Sequence, residues 1–129
     1  MRETSKRQYG MATIEVALIM PLLAALLYVL VEGGNTIRVY SALSEASRAA
    51  ARQVVMTGDE AGVQDVVRSL VTIIPAQNVT ARLIRDNAKG MVTVEVSYGY
   101  RSLFTANPAS GDPHDALYTL TARTSMPLP

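Results

Sequence analysis

The chain has 129 residues, no cysteine, no tryptophan and one histidine, and its charges almost cancel, at +1 near neutral pH. That length allows one small domain and little more. It excludes a disulfide-stapled module, and the balanced charge, with no basic stripe interleaved with aromatics, excludes a nucleic-acid surface. Without disulfides, so small a domain is expected to rely on packing against its own helices and against neighbouring subunits.

The first element in chain order is polar. Residues 1–10 carry Arg2, Lys6 and Arg7 against the single acid Glu3, without hydrophobic periodicity, so residues 1–9 are expected to be disordered. An apolar stretch follows from Met11 to Val31, broken only by Thr13 and Glu15. At ~1.5 Å per residue these positions reach about 31 Å as a helix, the thickness of a bilayer's hydrocarbon core. A helix apolar on every side needs burial or lipid around it, and a chain this short has no core wide enough. The expectation is a single membrane-spanning helix over 11–32. The basic flank keeps the N-terminus in the cytoplasm and sends residues 32–129 across the inner membrane.

Two positions go beyond anchoring. Glu15 is a carboxylate inside an apolar segment, which is costly enough to call for a partner or a role. Gly10 stands directly before the segment, so a cut after it removes the basic leader and keeps the helix, the reverse of a secretory signal. Such a cut frees an amine on Met11, one turn before Glu15, and the two form a charge pair in an apolar medium. The competing readings are an uncut cytoplasmic tail and a hydrated glutamate at headgroup level. Pro21 lies inside the span and is expected to kink it. Either the kink lets helices repack or it is a tolerated membrane proline.

The run Gly10, Ile14-Glu15, Ala17-Leu18, Pro21-Leu22-Leu23, Val31-Glu32-Gly33 and Ala46-Ser47-Arg48-Ala49-Ala50-Ala51-Arg52 resembles the TadE-like family. These are minor pilins, or pseudopilins, of the tight-adherence (Flp/Tad) pilus system, and the resemblance covers roughly residues 10–55. Val16 follows Glu15 where major pilins of this system carry a tyrosine, and those are much shorter, so the resemblance points to a minor subunit. It implies processing after Gly10 by a prepilin peptidase, with Glu15 paired to the Met11 amine to select correctly registered subunits. The implied partners are other pilins and minor pilins and the tight-adherence assembly machinery. The implied location is the bacterial inner membrane, with a periplasmic C-terminal domain that enters or supports an adhesive pilus. The reading from a different class is an uncleaved, membrane-anchored envelope module or a secretion-machine component.

Past the span, Gly33 and Gly34 are read as a hinge or as a point of close approach by a neighbouring backbone. The helix is expected to resume over 33–56 as an amphipathic stalk, with Ile37, Tyr40, Leu43, Ala46, Ala50 and Val54 on one face. Ala49, Ala50 and Ala51 permit close packing, either against another subunit or, the favoured reading, against a sheet of the same chain. Residues 57–129 then form a small extracytoplasmic α+β domain. Gly58 ends the long helix; Thr57 with Glu60, or Asp59, caps a second helix running to about Ile73 and stopped by Pro75. From there the period changes to two. Val79, Ala81 and Leu83 alternate with polar residues, 86–90 make a turn, and Val92, Val94, Val96, Tyr98 and Tyr100 alternate again. After the loop 107–113, Ala116, Tyr118, Leu120, Ala122 and Thr124 share one face. The fold class expected is α+β, with a three-stranded antiparallel sheet covered by the amphipathic helix and the second helix beside it, as in pilins.

No catalytic constellation is present, so neither an enzyme nor a cofactor is expected. His114 with Asp112 and Asp115 forms a weak cation set in a proline-flanked segment, which is read as an ordinary solvated loop.

Overall fold

A computed structural model describes residues 3–73, 78–102 and 118–129, with side chains from residue 10 onward. The order of elements is α1 (Glu3–Thr57), α2 (Val63–Leu70), β1 (Val79–Asp86), β2 (Met91–Tyr100) and β3 (Tyr118–Pro127). The fold is α+β, with one long N-terminal helix, one short helix and one antiparallel sheet. The chain divides into two units, Met1–Gly34 and Asn35–Pro129.

Helix α1 is longer than its apolar stretch. It starts at Glu3, whereas residues 1–9 were expected to be disordered. Residues 3–9 contain no proline, and the one glycine before the span costs a helix only about 1 kcal/mol, so nothing there stops it. In the first unit the large side chains from Met11 to Val31 are all exposed, and none of this apolar surface is buried inside the protein.

The second unit is built on the sheet, whose order is β1-β2-β3. Strand β2 lies in the middle: Leu83 faces Val94 on one side, and Ala122 faces Val96 on the other. Its alternation is strict, with Val92, Val94, Val96, Tyr98 and Tyr100 buried and the residues between them half-exposed. The turn between β1 and β2 closes at Gly90, whose φ of 61° suits glycine. Opposite the core, the sheet shows polar rungs: Thr93 with Ser125 at 2.7 Å, Ser97 with Thr121 at 3.3 Å, and Glu95 ion-paired with Arg123.

One face of α1 covers the apolar side of the sheet. Val39, Leu43, Ala46, Ala50, Ala51 and Val54 are buried with the valines of β2 in a single core. The alanine surface packs inside the chain, as favoured above. Ser47 is fully buried on the same face; its Oγ donates to the Ser44 carbonyl at 2.8 Å and hydrogen-bonds Thr124 Oγ1 at 2.7 Å. Two residues assigned to this face lie elsewhere: Ile37 is 69% exposed and Tyr40 48% exposed, while Val39 is buried. At 100° per residue the stripe through Leu43, Ala46, Ala50 and Val54 runs back to Val39 and leaves Tyr40 on its margin and Ile37 well off it.

Helix α1 ends where Gly58, at φ 69°, donates to the Val54 carbonyl at 2.8 Å. The expected capping box does not form. Thr57 Oγ1 bonds back to the Gln53 carbonyl, Glu60 reaches Arg85 at 2.6 Å, and Asp59 Oδ1 accepts from the Ala61 amide in a local turn. That turn delays α2 to Val63, with Val63 and Val67 buried, and the helix stops at Leu70 rather than near Ile73. Gln64 of α2 closes the start of the free edge of β1. Its Nε2 donates to the Val79 carbonyl at 2.8 Å, and its Oε1 accepts from the Ala81 amide at 2.7 Å. A side-chain amide there takes the place of a further strand. Pro75, the 107–113 loop, His114, Asp112, Asp115 and Ala116 lie outside the described residues.

Two measurements check this core. Leu43→Ala is expected to lower unfolding stability of the detergent-solubilised chain by about 2–5 kcal/mol, and Ile37→Ala by less than about 0.5 kcal/mol. Burial holds the Tyr98 hydroxyl above the ordinary tyrosine range, against the opposing pull of Arg101. A raised pKa in the fold contributes stability below the ordinary tyrosine value, and that contribution is lost as pH rises through the folded value. Denaturation midpoints are therefore expected to fall above about pH 10, and to fall less steeply in Tyr98→Phe.

Candidate functional site

The residues singled out for function lie along the first unit and at its boundary with the second. Gly10 and Met11 are neighbours on α1 and Glu15 lies one turn on, so residues 11 and 15 share one helix face at the i, i+4 spacing. Met11 is 75% exposed, and Glu15 is exposed as well. Among the described residues, no cationic side chain pairs with that carboxylate.

The helix passes through Pro21 without a break. Proline removes one backbone donor, so the Ala17 carbonyl loses its usual i+4 partner. The helix also continues through Gly33 and Gly34, so the glycine pair does not end it. A Cβ added at Gly10, Gly33 or Gly34 would meet nothing within 4 Å. Crowding by the described residues therefore explains none of the three glycines. What remains is backbone freedom, or the close approach of another molecule.

Directly after the glycine pair the structure brings together four residues that sequence reasoning missed. Asn35 Nδ2 donates to the Tyr100 hydroxyl at 3.0 Å, across 65 positions of sequence. Thr36 Oγ1 and the Tyr118 hydroxyl hydrogen-bond at 2.8 Å, across 82 positions. The two rings stack, with centroids 5.0 Å apart and an interplanar angle of 16°. They stand opposite each other on the central and edge strands, at the end of the sheet where α1 enters the second unit. The stack clasps the first turn of the amphipathic segment. Strand alternation placed Tyr100 and Tyr118 on the core face, but no local signal links either to Asn35 or Thr36.

Among the described residues, no group of histidine and acidic side chains is placed to hold a metal ion. The ion pairs are exposed, Arg85 with Glu60 and Arg123 with Glu95 among them, and each contributes about 0–1 kcal/mol.

Residues 10–52 match the family model described as TadE-like protein. The match begins at Gly10, takes in the whole apolar stretch and ends within the buried face of α1. No curated protein and no solved structure matches the chain significantly.

The clasp predicts a graded response. Tyr100→Phe removes the Asn35 acceptor and is expected to cost about 1 kcal/mol, whereas Tyr100→Ala also empties a core site and costs about 3–5 kcal/mol. Amide hydrogen exchange should show lost protection at residues 35–40 in both variants.

Proposed function

With its N-terminal third TadE-like, we propose that the chain is a minor pilin of a tight-adherence pilus, structural rather than catalytic. It inserts with residues 1–10 in the cytoplasm, spans the inner membrane once, and carries its α+β unit in the periplasm or out along the filament. A prepilin peptidase cuts after Gly10. The observation that carries this reading is the coincidence of three features at the start of the matched segment: Gly10, Glu15 five positions later, and an apolar helix with no burial of its own.

Each feature then has a physical task. Gly10 leaves the scissile backbone open to the peptidase, and no described atom lies within 4 Å of where a Cβ would stand. The cut places an ammonium on Met11 one turn before Glu15, in the same subunit or its neighbour. Removing one partner of such a pair in apolar surroundings costs several kcal/mol, enough to reject a wrongly registered subunit. Pro21 and the Gly33-Gly34 pair supply the kink and the hinge that let the helix repack as it leaves lipid for the pilus. Losing residues 1–10 also makes the rest of the chain slightly acidic.

The test is the mature N-terminus of protein recovered from native membranes, read with Glu15→Ala. A chain beginning at Met11, with pili abolished in Glu15→Ala at unchanged protein level, is the expected pair of results. A chain still beginning at Met1 removes the amine and leaves the uncleaved, anchored envelope module as the account. Normal piliation in Glu15→Ala sinks the charge-pair mechanism alone.

A further inference from the structure

The start of the second unit exposes side chains that its own core does not use. Ile37 is 69% exposed, Tyr40 48% and Tyr118 43%, and Arg38 beside them is exposed with no ion pair among the described residues. Tyr118 is tied to this place by its hydrogen bond to Thr36. An aliphatic residue, two amphipathic aromatic rings and an exposed guanidinium thus sit within one and a half turns of helix and the strand clasped to it.

Chain connectivity limits where this collar can be. Ile37 is six positions past Val31, the last apolar residue of the span. Six residues reach at most about 21 Å extended and about 9 Å as helix. The collar therefore lies within reach of the headgroup layer on the side where the helix emerges. Tyrosine rings and aliphatic side chains partition to that layer, and arginine meets lipid phosphates with a bidentate fork.

From this we infer that Ile37, Arg38, Tyr40 and Tyr118 form a seat on the membrane surface, with anionic lipid headgroups as the occupant. Charge complementarity selects the lipid: among the described residues Arg38 has no acidic partner, and an anionic phosphate supplies one. The Tyr100–Tyr118 clasp couples the seat to the sheet, so the end of the domain is held at the bilayer before the subunit leaves it. The inference rests on the membrane-spanning reading of Met11–Val31.

The full chain contains no tryptophan, so single reporters can be introduced as Tyr28→Trp in the span, Tyr40→Trp in the collar and Met56→Trp at the far end of α1. Each variant is reconstituted in vesicles of phosphatidylglycerol and phosphatidylcholine carrying brominated lipid, with acrylamide as the aqueous quencher. The expected result is quenching by bromolipid at position 28, quenching by headgroup-proximal bromolipid with protection from acrylamide at position 40, and acrylamide quenching alone at position 56. At position 40 brominated phosphatidylglycerol should quench better than brominated phosphatidylcholine by up to about fivefold, the effect of one charge at the surface. Arg38→Glu in the Tyr40→Trp background should erase that preference.

If position 28 is quenched by lipid while position 40 behaves like position 56, the seat is overturned and the span stands. If position 28 is not quenched by lipid, the membrane reading and the seat fall together. Shielding of position 40 from both quenchers that grows with protein density assigns the collar to a second copy and overturns the lipid occupant. An unchanged phosphatidylglycerol preference in Arg38→Glu overturns the role given to charge.

Discussion

One stripe of side chains on α1, from Val39 to Val54, makes the C-terminal unit possible. Three antiparallel strands with one apolar face leave that face in water unless something covers it. Here the cover is Val39, Leu43, Ala46, Ala50, Ala51 and Val54, set against Val92, Val94 and Val96 of the central strand. The alanines let the helix lie close to the sheet, close enough for Ser47 Oγ to hydrogen-bond Thr124 Oγ1 at 2.7 Å.

The same helix carries two kinds of surface. From Met11 to Val31 it is apolar on every side and buries none of that surface in its own chain. From Asn35 onward it is apolar on one side only, and the sheet takes that side. The change falls at Gly33-Gly34, where no described atom lies within 4 Å of an added Cβ. The clasp of Asn35 and Thr36 on the stacked Tyr100 and Tyr118 begins immediately after it. The glycine pair is thus followed at once by a turn of helix that is pinned to the sheet.

The sheet's edges and outer face are managed by polar groups rather than by further packing. Gln64 occupies the first exposed backbone groups of β1, and Pro127 withholds a donor at the end of β3. Hydroxyl rungs and the Glu95–Arg123 pair keep the outer face wettable. These devices contribute little net stability, yet they oppose edge-to-edge aggregation of a domain that has no disulfide.

Much of this was legible in the residue pattern. The strands, the turn at 86–90, the end of α1 at Gly58 and the unburied apolar helix all follow from local periodicity and from glycine placement. The TadE-like pattern at Gly10, Glu15 and Pro21 was legible for the same reason, since its elements lie within a few turns of one helix. Tertiary structure decided what depends on partners distant in sequence. Val39 rather than Ile37 or Tyr40 entered the core because the sheet selects the centre of the stripe, and Glu60 went to Arg85 instead of capping α2. The clasp joins residues 65 and 82 positions apart. Local sequence determines which faces are apolar and where the backbone can turn. Which of those faces meets which is settled only when the chain closes on itself, because that choice depends on distances no local pattern carries.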